Sequence, residues 1–286
     1  MSPPLREGRT LLSEVLCNQR INKEIFSLDI AWAGPPPGAG QFFLVRPERT
    51  SCFLSRPISV AFWDPAAPDT PEPCEAAQNR SFGSLRFMIA LRGKGTAELS
   101  GLQPGDKVEL TGPLGNAWTD FLPDEKSRGK IALIGGGIGI APLIALALEL
   151  QNTKFDFYAG FKTLSSEPED REYDAFFGRV FRHGEIEAGE IVLATEDGGR
   201  GSKGLIPGLL DPGKYHAVCA CGPEPMLKAV RAKCAAAGVP CFISLERRMA
   251  CGVGACLGCT VKIAGGNKRC CTDGPVFPAA EILFDG

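Results

Sequence analysis

The chain reads as a β + α/β protein in three parts: an N-terminal antiparallel β-barrel over residues 1–125, a parallel α/β domain over 126–243, and a small cysteine-rich domain over 244–286. Three observations predict this. Short apolar or alternating runs separated by turn formers fill roughly the first 120 residues. The rhythm then changes to strands alternating with helices. Six of the twelve cysteines lie at or beyond residue 241.

The barrel strands are expected at Leu11 to Cys17, Ile25 to Ile30, Gln41 to Arg46, Ile58 to Phe62, Leu85 to Leu91 and Lys107 to Thr111. Turns such as Gly34-Pro35-Pro36-Pro37-Gly38 and Gln103-Pro104-Gly105-Asp106 divide them, and strands so spaced close readily into a small barrel. Asp64 to Ser84, with four prolines, reads as an exposed hairpin insertion. Pro123 to Gly129 reads as a charged linker.

Beyond it, Lys130 to Ile134 is expected as a buried strand, Pro142 to Leu150 as a helix and Phe155 to Phe161 as the next strand. Ile191 to Thr195 and His216 to Ala220 follow as strands, with a helix over Pro225 to Ala237. Between the first strand and helix lies Gly135-Gly-Gly-Ile-Gly139-Ile-Ala-Pro142. Gly135, Gly137 and Gly139 would let the backbone approach a diphosphate, the helix N-terminus would supply N–H donors, and Pro142 suits a first helical turn. Ile140 stands where a third fingerprint glycine belongs, and Asp156, inside the next strand, is no ribose carboxylate. A turn that only tightens packing is the plainer alternative. Cys219-Ala-Cys221-Gly222-Pro223-Glu-Pro-Met226 ends another strand at the sheet edge where open α/β sheets bind ligands; by itself Cys221 would read as a core cysteine.

The last region carries Cys251, Cys256, Cys259 and then the adjacent pair Cys270-Cys271. The first three fit the C-x4-C-x2-C spacing of plant-type [2Fe–2S] sites. Gly252, Gly254 and Gly258 permit a loop that wraps a cluster with N–H groups turned to its sulfurs. Zinc sites favour paired C-x2-C knuckles, and a secreted disulfide scaffold would be shorter with cysteines spread throughout. Spacing leaves Cys270 and Cys271 as alternatives for the fourth ligand. Neighbours on a strand point to opposite sides, so one of them faces the cluster. Thr260 to Lys268 reads as a hairpin.

Composition narrows the function classes. With 31 Lys and Arg against 33 Asp and Glu, the formal charge of −2 favours neither nucleic acid nor an anionic membrane. No apolar stretch reaches the roughly 20 residues of a membrane span, and MSPPLREGRT lacks a signal-peptide core. A cytoplasmic location is the expectation. His183 and His216, the two histidines, read as structural or surface residues, and no nucleophile or acid–base pair stands out.

Arg56-Pro57-Ile58-Ser59 opens a barrel strand, and Gly93-Lys-Gly95-Thr96 precedes a short helix; an arginine and a helix N-terminus could share one diphosphate. Taken in order, RPIS, G-x-GT, Gly112-Pro-Leu-Gly115, GGGIGIAP and Cys221-Gly-Pro resemble the ferredoxin reductase family, in which a barrel holds a flavin and an α/β domain a nicotinamide nucleotide. Within it, Glu246-Arg-Arg-Met-Ala-Cys251 through Cys259, with Cys271-Thr-Asp-Gly-Pro-Val-Phe277, is similar to electron-transfer subunits of two-subunit, NAD-linked dihydroorotate dehydrogenases.

That resemblance implies FAD, a [2Fe–2S] cluster and NAD as cofactors. It implies flavin contacts from Arg56, Pro57, Ile58 and Ser59, from Met88, Ile89 and Ala90, and from Gly95 and Thr96. It places Cys221, Gly222 and Pro223 beside the nicotinamide and makes Cys271 the fourth ligand. It also implies a partner: an FMN-containing catalytic subunit, in a heterotetramer, that oxidises dihydroorotate and sends electrons through cluster and FAD to NAD+. Ile89 and Ala90 occupy the place of the family's usual aromatic–Arg pair, so either one charged contact to the flavin is lost or Arg92 substitutes for it. NAD and NADP both remain open, with Lys162 near the place of a 2′-phosphate. Two rival readings exist: the small subunit of an NADH-dependent ferredoxin:NADP+ oxidoreductase or sulfide dehydrogenase, which has aspartate in the place of Cys251, and a non-catalytic metal-binding interaction module.

Overall fold

The computed structural model describes residues 9–65, 83–124, 129–150, 153–164 and 188–284. Most of the proline-rich insertion and of the charged linker, together with Cys74 and His183, lies outside the described residues.

Six strands close an antiparallel barrel in the order β1-β2-β5-β4-β3-β6. They are β1 (Arg9–Arg20), β2 (Ile25–Trp32), β3 (Phe42–Pro47), β4 (Arg56–Asp64), β5 (Gly83–Ala90) and β6 (Lys107–Leu114). Each expected strand is present, most of them longer than its apolar run. Alternation explains the packing: Phe43, Val45, Val60, Leu85, Phe87, Ile89, Val108 and Leu110 fill the barrel interior with Trp32. Trp32 and Phe43 meet edge to face at 4.8 Å. The other side of β5 turns Met88 into the layer between barrel and α/β domain. The seven-residue helix α1 (Lys94–Ser100) follows β5.

The second sheet has seven strands in the order β10-β9-β8-β7-β11-β12-β15. Its centre is parallel: β7 (Ile131–Gly136), β8 (Phe155–Phe161), β9 (Ala188–Thr195) and β11 (Ala217–Cys221). A 3-10 turn over Gly137–Ile140 leads into α2 (Ala141–Glu149), and α3 (Glu224–Ala237) follows β11. Ile131, Leu133, Phe155 and Phe157 are fully buried, as both-face coverage of a parallel sheet requires.

Two strands extend this sheet beyond the sequence reading. β12 (Cys241–Ser244) pairs in parallel with β11, and β15 (Val276–Pro278) returns antiparallel to β12. The cysteine-rich segment is therefore anchored at both ends to the nucleotide-domain sheet. Between them, β13 (Thr260–Ile263) and β14 (Gly266–Arg269) form the expected hairpin, and β10 (Ser202–Lys203) closes the far edge.

Candidate functional site

Three sets of residues are candidates: the cysteine segment, the Arg56–Gly95 pair on the barrel, and a cavity between barrel and sheet. In the cysteine segment the thiols stand in two neighbouring pairs, Cys251 with Cys256 and Cys259 with Cys271, in each of which the later residue's backbone N–H meets the earlier sulfur. Backbone amides turn inward on them. Cys256 N–H reaches Cys251 Sγ at 3.4 Å, Gly254 N–H reaches Cys271 Sγ at 3.2 Å, and Cys271 N–H reaches Cys259 Sγ at 3.4 Å. Gly252 and Gly254 adopt φ of 69° and 76°, which the wrapping loop demands. Burial raises the Cys251 thiol, but the amides of Cys256, Val253 and Ala255 outweigh it and hold the thiol down to about 7. Amides arranged this way stabilise thiolate sulfur.

Cys270 is fully buried, and its Sγ donates to Leu245 O at 3.1 Å, away from the loop. Burial, followed by the Cys259 charge, pushes its thiol up to about 12. Among the described residues, no three His, Cys, Asp or Glu side chains gather about a single ion. Two thiol pairs suit a binuclear cluster, in which each iron takes two protein sulfurs, better than one tetrahedral zinc. Beside the loop, Thr272 Oγ1 is buried without a partner among the described residues. An orphaned buried hydroxyl calls for a further acceptor or donor, which a cluster sulfur would supply.

The flavin-type motifs meet on the barrel. Arg56 opens β4, and its guanidinium lies directly over Gly95, where a Cβ would come within 2.1 Å of Nε. The arginine and the α1 start thus face one spot, as their order along the chain suggests. Arg56 Nη1 also donates to the carbonyls of Leu54 and Ser55. The Glu98 carboxylate accepts from the hydroxyls of Thr50 and Ser51, tying the loop before β4 to α1. Thr96 Oγ1 accepts from Arg92 N–H at 2.9 Å and Gly93 N–H at 3.2 Å; its hydroxyl caps its own helix, so its backbone is what remains for a ligand.

A cavity of about 1720 Å³ opens between barrel and sheet. Its barrel wall is the β1–β2 turn, Arg20 to Ile25, with Ala90 and Arg92. Its sheet wall includes Gly136, Gly137, Ile138, Pro223 and Met226 at the strand ends, the position where open α/β sheets bind nucleotides. Glu196, Leu205 to Gly208 and Lys233 line its far part. Glu246 is accessible yet hemmed by protein, which raises its carboxyl, while Arg92 opposes that rise.

Sequence comparison bears on this arrangement. Residues 246–283 match the iron–sulfur cluster binding domain of dihydroorotate dehydrogenase B. The "Dihydroorotate dehydrogenase B (NAD(+)), electron transfer subunit" of Clostridium acetobutylicum is 39% identical over 246 residues, 86% of each chain. Its counterpart in Caldanaerobacter subterraneus is 36% identical over 279 residues, 95% of this chain and 98% of that one. This chain belongs to the dihydroorotate dehydrogenase B electron transfer subunits. The solved structure of an NADH-dependent reduced ferredoxin–NADP oxidoreductase, described for flavin-based electron bifurcation, matches with a TM-score of 0.75 and 25% identity over 96% of this chain and 90% of that one. A ferredoxin NADP+ reductase from Neisseria gonorrhoeae, at 17% identity and a TM-score of 0.54, shares the fold.

Against that family, the structure sorts the expected site residues. Cys251, Cys256, Cys259 and Cys271 come together, as do Arg56 and Gly95. Met88 and Ile89 are buried on opposite sides of β5, one in the interdomain layer and one in the barrel, so Ala90 alone of the three reaches the cavity. Of the glycines, Gly137 lines the cavity at φ 53°. Gly135 packs on Ile140 and Leu143, and Gly139 on the Cys221 carbonyl, where a Cβ would approach within 2.6 Å. Those two act by close packing, and Gly136, itself buried, joins Gly137 in the cavity lining. Gly222, at φ 153°, packs likewise on Gly136 and Met226, while Pro223 reaches the cavity. Cys221 is buried behind the wall; burial first, then Glu246, raises its thiol strongly. The β1–β2 turn and Glu196 were invisible to sequence reasoning because nothing in their local pattern distinguishes them from ordinary surface turns.

Proposed function

We propose that this chain carries electrons between a catalytic subunit that oxidises dihydroorotate and NAD+, using a [2Fe–2S] cluster and FAD, in pyrimidine biosynthesis. The observation that carries this reading is the paired set Cys251/Cys256 and Cys259/Cys271, held by inward-turned amides in a loop whose Gly252 packs on Leu44, the strand partner of Pro57 in the flavin-type motif. When bound, FAD exchanges electron pairs with nicotinamide and single electrons with an iron–sulfur cluster.

The chain's own residues hold, orient and insulate. Cys251, Cys256, Cys259 and Cys271 are the ligands in this proposal, with Cys270 spent on the Leu245 carbonyl. Arg56 and the α1 amides beside Gly95 would hold a flavin diphosphate, with Pro57, Ile58 and Ser59 continuing along β4. Gly136, Gly137 and Pro223 would receive NAD. Cys221, kept neutral by burial, offers position rather than a proton or a nucleophile.

The partner would dock on the cluster loop. Cys256 is exposed, and Val253 and Leu257 beside it are 57% and 61% exposed; apolar side chains left out beside a redox centre mark a contact surface. In this proposal the partner is the FMN-containing catalytic subunit of a heterotetramer. Among the described residues, no helix is long and apolar enough to cross a membrane. A cytoplasmic setting belongs to the same proposal.

The test is to isolate the tagged chain anaerobically with whatever it binds and assay dihydroorotate-dependent reduction of NAD+. NADH formation with an FMN protein present is the expected result. A yellow-brown complex that NADH reduces but that ignores dihydroorotate would overturn the choice of partner.

A further inference from the structure

Electrons passing between flavin and cluster must cross from the barrel to the cysteine segment, and the transfer rate falls steeply with the width of that gap. What fixes the gap lies at the end of β6. Gly115, at φ 77°, lets the chain turn so closely against Gly274 that a Cβ would come within 2.5 Å of its carbonyl. The next residue, Asn116, then spends its whole side-chain amide on the segment just past Cys271. Nδ2 donates to Asp273 O at 3.0 Å and to Val276 O at 2.9 Å, and Oδ1 accepts from Val276 N–H at 3.0 Å. Its own backbone N–H donates to Gly274 O at 2.7 Å.

Both sides of this clamp are stiff. β6 is locked between β1 and β3 of the closed barrel, and β3 pairs Val45 with Arg56 and Leu44 with Pro57. Asn116 is thus one strand removed from the flavin motif. On the other side, the Arg269–Asp273 ion pair and the bond from Arg269 N–H to Asp273 Oδ2 close a turn with Cys271 inside it. Asn116 grips the exit of that turn.

We propose that Asn116 is a positioning residue that fixes the Cys271 segment against the flavin barrel and thereby sets the flavin-to-cluster gap. This rests on the cofactor assignment above. It does not depend on dihydroorotate as the substrate.

The test uses the intact holo-complex. Anaerobic single-turnover reduction by NADH is followed separately at flavin and cluster wavelengths, and pulsed EPR reads the distance between the two paramagnetic centres. Asn116→Ala should leave NADH-to-flavin transfer within about twofold, slow flavin-to-cluster transfer by roughly tenfold, and lengthen or broaden the distance distribution, since misplacements near 1 Å are costly in rate. Unchanged cluster reduction with an unchanged distance overturns the role. Should Asn116→Ala lose its cluster, Asn116→Asp decides: it keeps the acceptor for Val276 N–H and sets a carboxylate against two carbonyls. Slowed cluster reduction in that variant supports the role, and wild-type transfer overturns it. Failure of the wild-type complex to pass electrons from flavin to cluster would instead sink the cofactor assignment.

Discussion

Cys221 and Cys251 are the same residue put to opposite uses by their surroundings. Cys221 ends β11 inside the sheet, paired with Gly135 and Ser244 on either side, and burial raises its thiol far above its usual range. Cys251 sits in a loop with no regular structure, where neighbouring amides overcome burial and bring it to about 7. The sheet spends its backbone N–H groups on ladders, so the Cys221 thiol finds no spare amide, and the Ser244 side chain offsets its burial only in part. The loop has N–H groups to spare, and glycines aim them at sulfur. The backbone's bookkeeping of donors, more than burial alone, decides which cysteines can become ligands.

The largest expected effect breaks the comparison directly. Cys256→Ser should abolish the visible cluster absorbance, whereas Cys270→Ser, which removes a thiol bonded to Leu245 O, should keep it. An unchanged spectrum in Cys256→Ser would sink the ligand assignment, and loss of the cluster in Cys270→Ser would move the fourth ligand from Cys271 to Cys270.

Next comes the sheet side. Gly139→Ala places a methyl within 2.6 Å of the Cys221 carbonyl, a backbone atom that cannot swing away. Flavin reduction by NADH should fall on the order of 100-fold, the cost of displacing a binding loop by about 1 Å, with both chromophores retained. Equal rates in stopped flow would show that the glycine loop has no part in nucleotide binding.

Arg56→Ala tests the barrel's share of the cofactors. Loss of a charged donor from a diphosphate costs about 1.5–3 kcal/mol, so flavin should dissociate on desalting while the cluster spectrum persists. Full retention of flavin would move the cradle elsewhere.

A smaller effect probes the sheet's own stability. Asp156 accepts from Lys130 at 2.6 Å, from the Tyr215 hydroxyl at 2.7 Å and from Glu190 N–H at 2.9 Å. Burial raises its carboxyl, but these bonds outweigh it and the net shift is downward. A depressed folded value contributes stability above the unfolded value near 4, lost as pH falls through the folded value. Asp156→Asn should cost about 2 kcal/mol at pH 7, and its deficit against wild type in thermal melts should shrink below about pH 4. A deficit independent of pH would remove the charge from the explanation.

The smallest effect returns to the loop. Leu257 is the one non-glycine residue with positive φ, 59°, among the described residues, where Leu257→Gly should relieve about 1 kcal/mol. The melting temperature should rise by about 2 °C while affinity for the catalytic subunit drops. A variant that gains stability and binds the partner as well as wild type would refute the docking surface at Leu257.

Periodicity and spacing by themselves determined a good deal here. Alternating runs announced six barrel strands, strand–helix alternation announced the parallel sheet, and C-x4-C-x2-C announced the first three thiols, because these signals depend on neighbours along the chain. The choice of Cys271 over Cys270 did not follow from spacing; family resemblance suggested it, and only the fold puts Gly254 N–H on Cys271 Sγ and Cys270 Sγ on Leu245 O. The division of labour among Gly135, Gly136, Gly137 and Gly139 was equally hidden, since Gly136 packs on Met226 and Pro223 and Gly139 on Cys221, far along the chain, while Gly135 packs locally on Ile140 and Leu143. Return of β15 to the nucleotide-domain sheet and the grip of Asn116 on Val276 both join segments that share no local pattern. Sequence encodes what a residue's neighbours impose through backbone geometry; only folding decides which distant groups take up the donors and acceptors left over.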